Sequence, residues 1–183
     1  ELKSFKTIAA VGYLISQGYY SLGKIELGPL EYLYHRNNIE GNRIRLGGRT
    51  TSSFSEKVYM EGYMAYGFRD ERVKYYFKSA VSLNGKSVAV FPAHYLEGSI
   101  QHDIFEPGRS IGFLKGDSFF RSFRSNQPLK WLNTDAYRLE HLLEFGNHVS
   151  VNTSFTHQRR TPIGDLKFIS SGDSSQFLPH INT

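Results

Sequence analysis

The stretch RDERVKYYFKSAVSL, Arg69 to Leu83, decides the fold. In it Val73, Tyr75, Phe77, Ser79, Val81 and Leu83 alternate with Lys74, Tyr76, Lys78, Ala80 and Ser82. A period of two sends successive side chains to opposite faces of a sheet, so this strand carries one greasy face and one wetter face. It runs into Asn84-Gly85, a dipeptide that accepts the positive φ angles of a tight hairpin turn, and this predicts an antiparallel return over Val88 to Phe91. On its other side the charged turn Arg69-Asp70-Glu71-Arg72 joins it to a strand over Lys57 to Phe68.

The same design repeats outward. In Asn38 to Arg49, Arg43, Arg45 and Arg49 fall on one face and Asn42, Ile44 and Leu46 on the other; Thr50-Thr51-Ser52-Ser53 then leads to the next strand. Downstream, Tyr137, Leu139, His141, Leu143 and Phe145 alternate with Arg138, Glu140, Leu142 and Glu144. Gly146-Asn147 then turns into Val149, Val151, Thr153 and Phe155. Between these hairpins, Glu106 to Leu132 mixes Gly and Pro with unpatterned aromatic and basic residues. It reads as a long loop at about 106–132, with a short helical turn around Asp117 to Arg124; loops of that size in compact proteins are usually functional.

Composition points the same way. With 12 Tyr, 14 Phe, 17 Gly and only 2 Met in 183 residues, strands and turns are favoured over helices. The formal charge of +5 would suit a nucleic-acid binder, but the longest purely basic run is Arg159-Arg160, and no nucleic-acid partner is expected. Absence of cysteine excludes disulfides, thiolate metal sites and a thiol nucleophile. The apolar patch from Ile8 to Ile15 is too short to span a bilayer as a helix, and no small-residue cleavage site marks it as a signal peptide.

The strand lengths separate two kinds of β protein. Lys57 to Phe68 and Tyr137 to Phe145 approach the roughly 9 to 11 residues that a tilted strand needs to cross a bilayer, whereas strands of soluble sandwiches average about five or six. Tyr59, Tyr63, Tyr66 and Phe68, and again Tyr75, Tyr76 and Phe77, crowd strand ends as in the aromatic girdles of membrane barrels. The expected fold is therefore all-β, an antiparallel transmembrane β-barrel in the bacterial outer membrane. The alternative is a soluble lipocalin-like barrel or β-sandwich that binds an apolar ligand inside, which the mean hydropathy of −0.41 also allows.

Several short runs carry a family resemblance: IELGP at Ile25 to Pro29, NNIEG at Asn37 to Gly41, RIRLGGRT at Arg43 to Thr50, Phe54-Ser55, GYMAYGFRD at Gly62 to Asp70, and YRLEHLLEF at Tyr137 to Phe145. Together they resemble the barrel portion of the DUF5686 family of Bacteroidota, proteins labelled as carrying a carboxypeptidase-like regulatory domain. The likeness covers most of the chain. It implies a barrel similar in style to the Omp85 and surface-antigen barrels, preceded in full-length members by a periplasmic regulatory-like β-sandwich. On that resemblance, residues 1–183 are a barrel segment that lacks the N-terminal periplasmic domain and the barrel-closing strands. The resemblance brings no chemistry to carry over.

Candidate sites follow from the barrel reading. Arg43, Arg45 and Arg49, with Glu61, are candidate lumen contacts, because arginines inside a barrel can pair with carboxylates such as Glu40, Glu61 or Glu97 and pin an inserted loop. The plainer reading is a solvated wall with ordinary turn glycines. Phe119, Phe120, Arg121, Phe123 and Arg124 form a candidate loop surface for a partner or a lipid headgroup, or a loop packed over the barrel rim.

The seven histidines show no HExxH or close ligand arrangement, Leu46-Gly47-Gly48 lacks the Lys-Ser/Thr ending of a phosphate loop, and no serine sits in a G-x-S-x-G elbow. No catalytic site, cofactor or metal is therefore expected. The expected partners are outer-membrane lipid and other envelope proteins, and the expected role is envelope transport, assembly or scaffolding.

Overall fold

The computed structural model describes residues 18–105 and 130–164. These form one antiparallel sheet of nine strands: β1 (Tyr20–Ser21), β2 (Ile25–Leu27), β3 (Tyr34–Asn37), β4 (Gly41–Thr50), β5 (Val58–Gly67), β6 (Arg72–Ser82), β7 (His94–Phe105), β8 (Lys130–Glu144) and β9 (Ser150–Gly164). A single 3-10 turn at Leu30–Tyr32 is the sole helical element among the described residues, and none of them forms a helix long and apolar enough to cross a membrane.

From β4 onward each strand pairs with the next in sequence, in the order β4-β5-β6-β7-β8-β9. β2 and β3 lie end to end along β4, through Leu27 opposite Gly48 and Tyr34 opposite Ile44. Residues 28–33 therefore stand opposite only 45–47, and the surplus is taken up by Pro29 and the 3-10 turn. The sheet is open among the described residues: β1 and β9 are its two ends and do not pair.

Two expectations about the strands need correction. Val88 to Phe91 is not the return strand; it is bent chain, and the partner of β6 begins at His94. Pro92 has no N–H to give a ladder, and Asn84 secures the connection with its side chain, donating to the Pro92 carbonyl at 2.7 Å and accepting from the Lys86 N–H at 3.1 Å. The loop at 106–132 is also shorter at its far end, because Lys130, Trp131 and Leu132 already pair with Gly164, Ile163 and Pro162 of β9. The rest of that loop, with the helical turn read at Asp117 to Arg124, lies outside the described residues.

The alternation puts charge on one face and oil on the other, and the exposure is the reverse of a soluble sheet. Ile44, Leu46, Met64, Tyr75, Phe77, Val81, Ile100, Leu139 and Phe155 lie on the apolar face and are exposed, Leu46 to 67%, Met64 to 64% and Phe155 to 70%. Arg43, Arg45, Lys74, Gln101, Asp103 and Thr134 lie on the other face and are buried, together with Tyr63, Ala65, Tyr76 and Ala80. On β7 and β8 the outward face is interrupted by His102 and Asp135, which contact each other while Tyr75 stacks on His102 at 5.6 Å; beyond them Ile104 and Trp131, on the same face, are buried.

The sheet curls toward its charged face. Arg43 on β4 donates to Asp103 on β7, three strand positions away, at 2.8 and 2.6 Å. On a flat sheet those strands would be about 14 Å apart, farther than the two side chains could bridge while standing upright from the surface. Curvature brings them together and covers the charged groups with one another.

Close strand approach depends on particular glycines. A Cβ on Gly62 would fall 2.7 Å from the Tyr76 carbonyl oxygen, whereas one on Gly98 would meet nothing within 4 Å. Gly62→Ala should cost about 1–3 kcal/mol, since backbone must shift, and Gly98→Ala should be neutral or stabilising by about 0.5–1 kcal/mol. Denaturant unfolding of both variants checks this; equal effects would mean that Gly62 does not limit the strand spacing.

Candidate functional site on the charged face

The site is built from the turn between β3 and β4. Asn37 accepts from the N–H groups of Ile39 (2.9 Å) and Glu40 (2.8 Å), which closes the turn, and its amide donates to Glu40 Oε2 at 2.6 Å. Gly41 follows with φ of 66°, a value that costs glycine nothing. The neighbouring β5–β6 turn is tied on by the Arg69 N–H, which donates to the Glu40 carbonyl at 2.7 Å, and by Arg69 Nη1, which donates to the Asn38 carbonyl at 3.1 Å. These contacts aim the Glu40 carboxylate at the sheet.

Glu40 is 0% exposed and takes two cations: Arg43 at 3.1 Å and Lys74 at 2.8 Å. Arg43 forks across to Asp103 with two parallel bonds, the geometry in which guanidinium and carboxylate match best. Asp103 also accepts from the Tyr63 hydroxyl at 2.6 Å and from the Ile104 N–H at 2.7 Å, and Gln101 donates to the Tyr63 oxygen at 3.1 Å. Lys74, 1% exposed, also contacts Asp70. Gly67 makes the room: a Cβ there would lie 2.8 Å from Lys74 Nζ and 2.9 Å from Glu40 Cβ.

Arg45 is held differently. Its guanidinium sits 3.6 Å from the Tyr63 ring centre and 5.0 Å from that of Tyr32, so the 28–33 insertion folds inward and lays an aromatic ring beside it. With Arg45 included, the cluster holds three cations (Arg43, Arg45, Lys74) and three carboxylates (Glu40, Asp70, Asp103). Its formal charge is therefore zero, as burial of so many ions demands.

A second group lies farther along the same face. Lys78 bridges Glu61 at 2.9 Å and Glu97 at 3.6 Å, and the hydroxyls of Tyr59 and Tyr76 donate to Glu61 at 2.7 and 3.4 Å. Arg49 donates to Glu26 at 2.7 Å with its guanidinium 3.8 Å from the Tyr19 ring centre. A cavity of about 510 Å³ opens between this group and the chain around Ser52 and Val88, lined by Arg49, Tyr59 and Glu97 among others.

The candidate lumen residues thus all lie on the charged face, in two separate groups. Arg43 and Arg45 belong to the buried cluster, Arg49 and Glu61 to the second group. Of the carboxylates expected to meet the arginines, Glu40 meets Arg43, while Glu61 and Glu97 meet Lys78. The loop surface Phe119, Phe120, Arg121, Phe123 and Arg124 lies outside the described residues.

Sequence reasoning missed Lys74, Asp103 and Tyr63 as cluster members. Alternation places Lys74 on the wetter face, whereas Tyr63 reads as a girdle aromatic and no strand is read around Asp103; the structure puts all three on the charged face, and their meeting depends on register and curvature. Among the described residues no three His, Asp or Glu side chains converge as metal ligands. No family model, no curated protein and no solved structure matches the chain.

Arg43 tests the cluster. Arg43→Met leaves Glu40 and Asp103 buried with one fewer cation and should cost about 3–5 kcal/mol, whereas Arg43→Met with Asp103→Leu should recover a large part of that loss. Denaturant midpoints of the two variants decide it; a double variant no better than the single would show that the pair does not act as a unit.

Proposed function

We propose that this chain is a length of the wall of a bacterial outer-membrane β-barrel, of the DUF5686 kind that its motifs resemble. Its role is non-enzymatic, in envelope transport, assembly or scaffolding within a larger complex. The carrying observation is the inversion of the sheet, with apolar side chains exposed on the outside of the curl and ion pairs buried on the inside. Lipid accounts for the first and a polar lumen for the second.

Dimensions support the reading. The six long strands β4 to β9 have 10, 10, 11, 12, 15 and 15 residues, at or above the roughly 9 to 11 needed for a tilted crossing. On β5, outward residues run from Val58 to Tyr66; that rise is about 27 Å along the strand and about 21 Å after a tilt of about 40°, near the ~25 Å apolar band of such barrels.

The soluble lipocalin-like alternative needs the apolar face on the inside of the curl. The Arg43–Asp103 bond, which spans β4 to β7 on the charged face, argues for the opposite curvature. Two apolar hollows among the described residues, about 400 and 500 Å³, are shallow grooves on the exposed face, around Phe77 and Leu139 and around Leu46 and Met64.

Expression of the full-length parent, separation of membranes and a heat-modifiability gel test the proposal. The protein should co-fractionate with outer membranes and shift on heating; if it stays soluble without detergent, the membrane reading falls. A finer test uses tryptophan in the Trp131→Phe background, in vesicles of brominated lipid. Phe77→Trp should be quenched and Tyr76→Trp, one residue along on the charged face, should not. Equal quenching would overturn the assignment of faces.

A further inference from the structure

His94 opens β7 and His141 lies on β8, and the two are 47 residues apart in sequence. In the β7–β8 register His94 stands opposite Leu143 and His141 opposite Leu96. Both histidines share the outward face with Leu96, Leu139 and Leu143, as diagonal neighbours, a separation that two imidazoles can close. Their Nε2 atoms are 3.0 Å apart and the rings stand at 76° to one another. The pairing is held by a continuous ladder from His94–Leu143 to Phe105–Leu132, so the geometry belongs to the backbone and not to mobile loops.

We propose that His94 and His141 form a copper(II) site on the outward face, their two Nε2 atoms filling adjacent positions of a tetragonal ion and water filling the rest. Two nitrogens each about 2.0–2.1 Å from one metal and 3.0 Å from each other subtend about 94° at the ion. That is close to the right angle of tetragonal copper(II) and farther from the tetrahedral angle that zinc takes in closed sites. Imidazole suits copper, and copper(II) stands highest in the affinity order of the divalent first-row metals. The carboxylates nearest in sequence, Glu97, Glu140 and Glu144, lie on the charged face: Glu97 pairs with Lys78, Glu140 contacts Arg138, and Glu144 accepts from the Ala93 N–H at 2.8 Å. The proposed metal therefore has two neutral nitrogen ligands from the protein and open positions toward the outside. Without a metal the same pair shares one proton in a hydrogen bond, one ring donating and the other accepting.

The proposal is independent of the membrane reading, because it needs only the β7–β8 pairing. Tag-free full-length protein, in detergent or buffer as its solubility requires, is titrated with copper(II) against a glycine competitor and followed by electron paramagnetic resonance. One copper per chain with two equatorial imidazole nitrogens is expected. Affinity should drop at least about tenfold in His94→Ala and in His141→Ala, since loss of a ligand weighs no less than loss of a group that orients one. The double variant should be little worse than either single one. His157→Ala, on the same face of β9, should bind as the parent does, and far-UV circular dichroism checks that every variant keeps its sheet. Copper uptake unchanged in both single variants, a spectrum with one nitrogen, or zinc binding as tight as copper would overturn the site.

Discussion

Arg43 and Asp103 sit three strands apart, and the rest of the described sheet is arranged so that they can meet. Their forked ion pair needs the sheet to curl and needs Glu40 and Lys74 to balance the remaining charge, and Gly67 leaves room for those two side chains. Each buried ion would cost several kcal/mol alone, so the cluster is stable only as a complete neutral set. Tyr63 serves both halves of it: its hydroxyl bonds Asp103, and its ring lies under Arg45.

This constraint explains the otherwise odd distribution of side chains. A soluble sheet gains stability by burying its apolar face, and here that face remains open while ion pairs occupy the interior of the curl. Beside the ion pairs the interior is packed by Tyr19, Tyr63, Ala65 and Tyr76, and Tyr63 and Tyr76 stack at 5.8 Å. Tyrosine suits this place because its ring fills space while its hydroxyl satisfies a charged neighbour. The inward fold of residues 28–33 belongs to the same arrangement, since it brings Tyr32 to the other side of Arg45.

The outward face has its own exceptions to oil, and these are ordered. His102 and Asp135 interrupt it on β7 and β8, while His94 and His141 meet toward the opposite end of those strands.

Much of this was legible in the amino-acid order. Period-two alternation from Val73 to Leu83 determined a strand and its two faces, the arginines at 43, 45 and 49 were assigned to one face, and the charged turn at Arg69–Arg72 marked a hairpin. The alternation on β7, Leu96, Ile100 and His102 against Glu97, Gln101 and Asp103, was hidden by Gly98 and by the Asn84-Gly85 signal, which suggested an earlier return. What the sequence could not decide was which charges would meet. Arg43 with Asp103, separated by 60 residues, and His94 with His141, separated by 47, become neighbours only through register and curvature. Local propensity acts over a few residues, whereas strand order, register and curl are properties of the whole hydrogen-bonded sheet, and it was these that brought distant ions together.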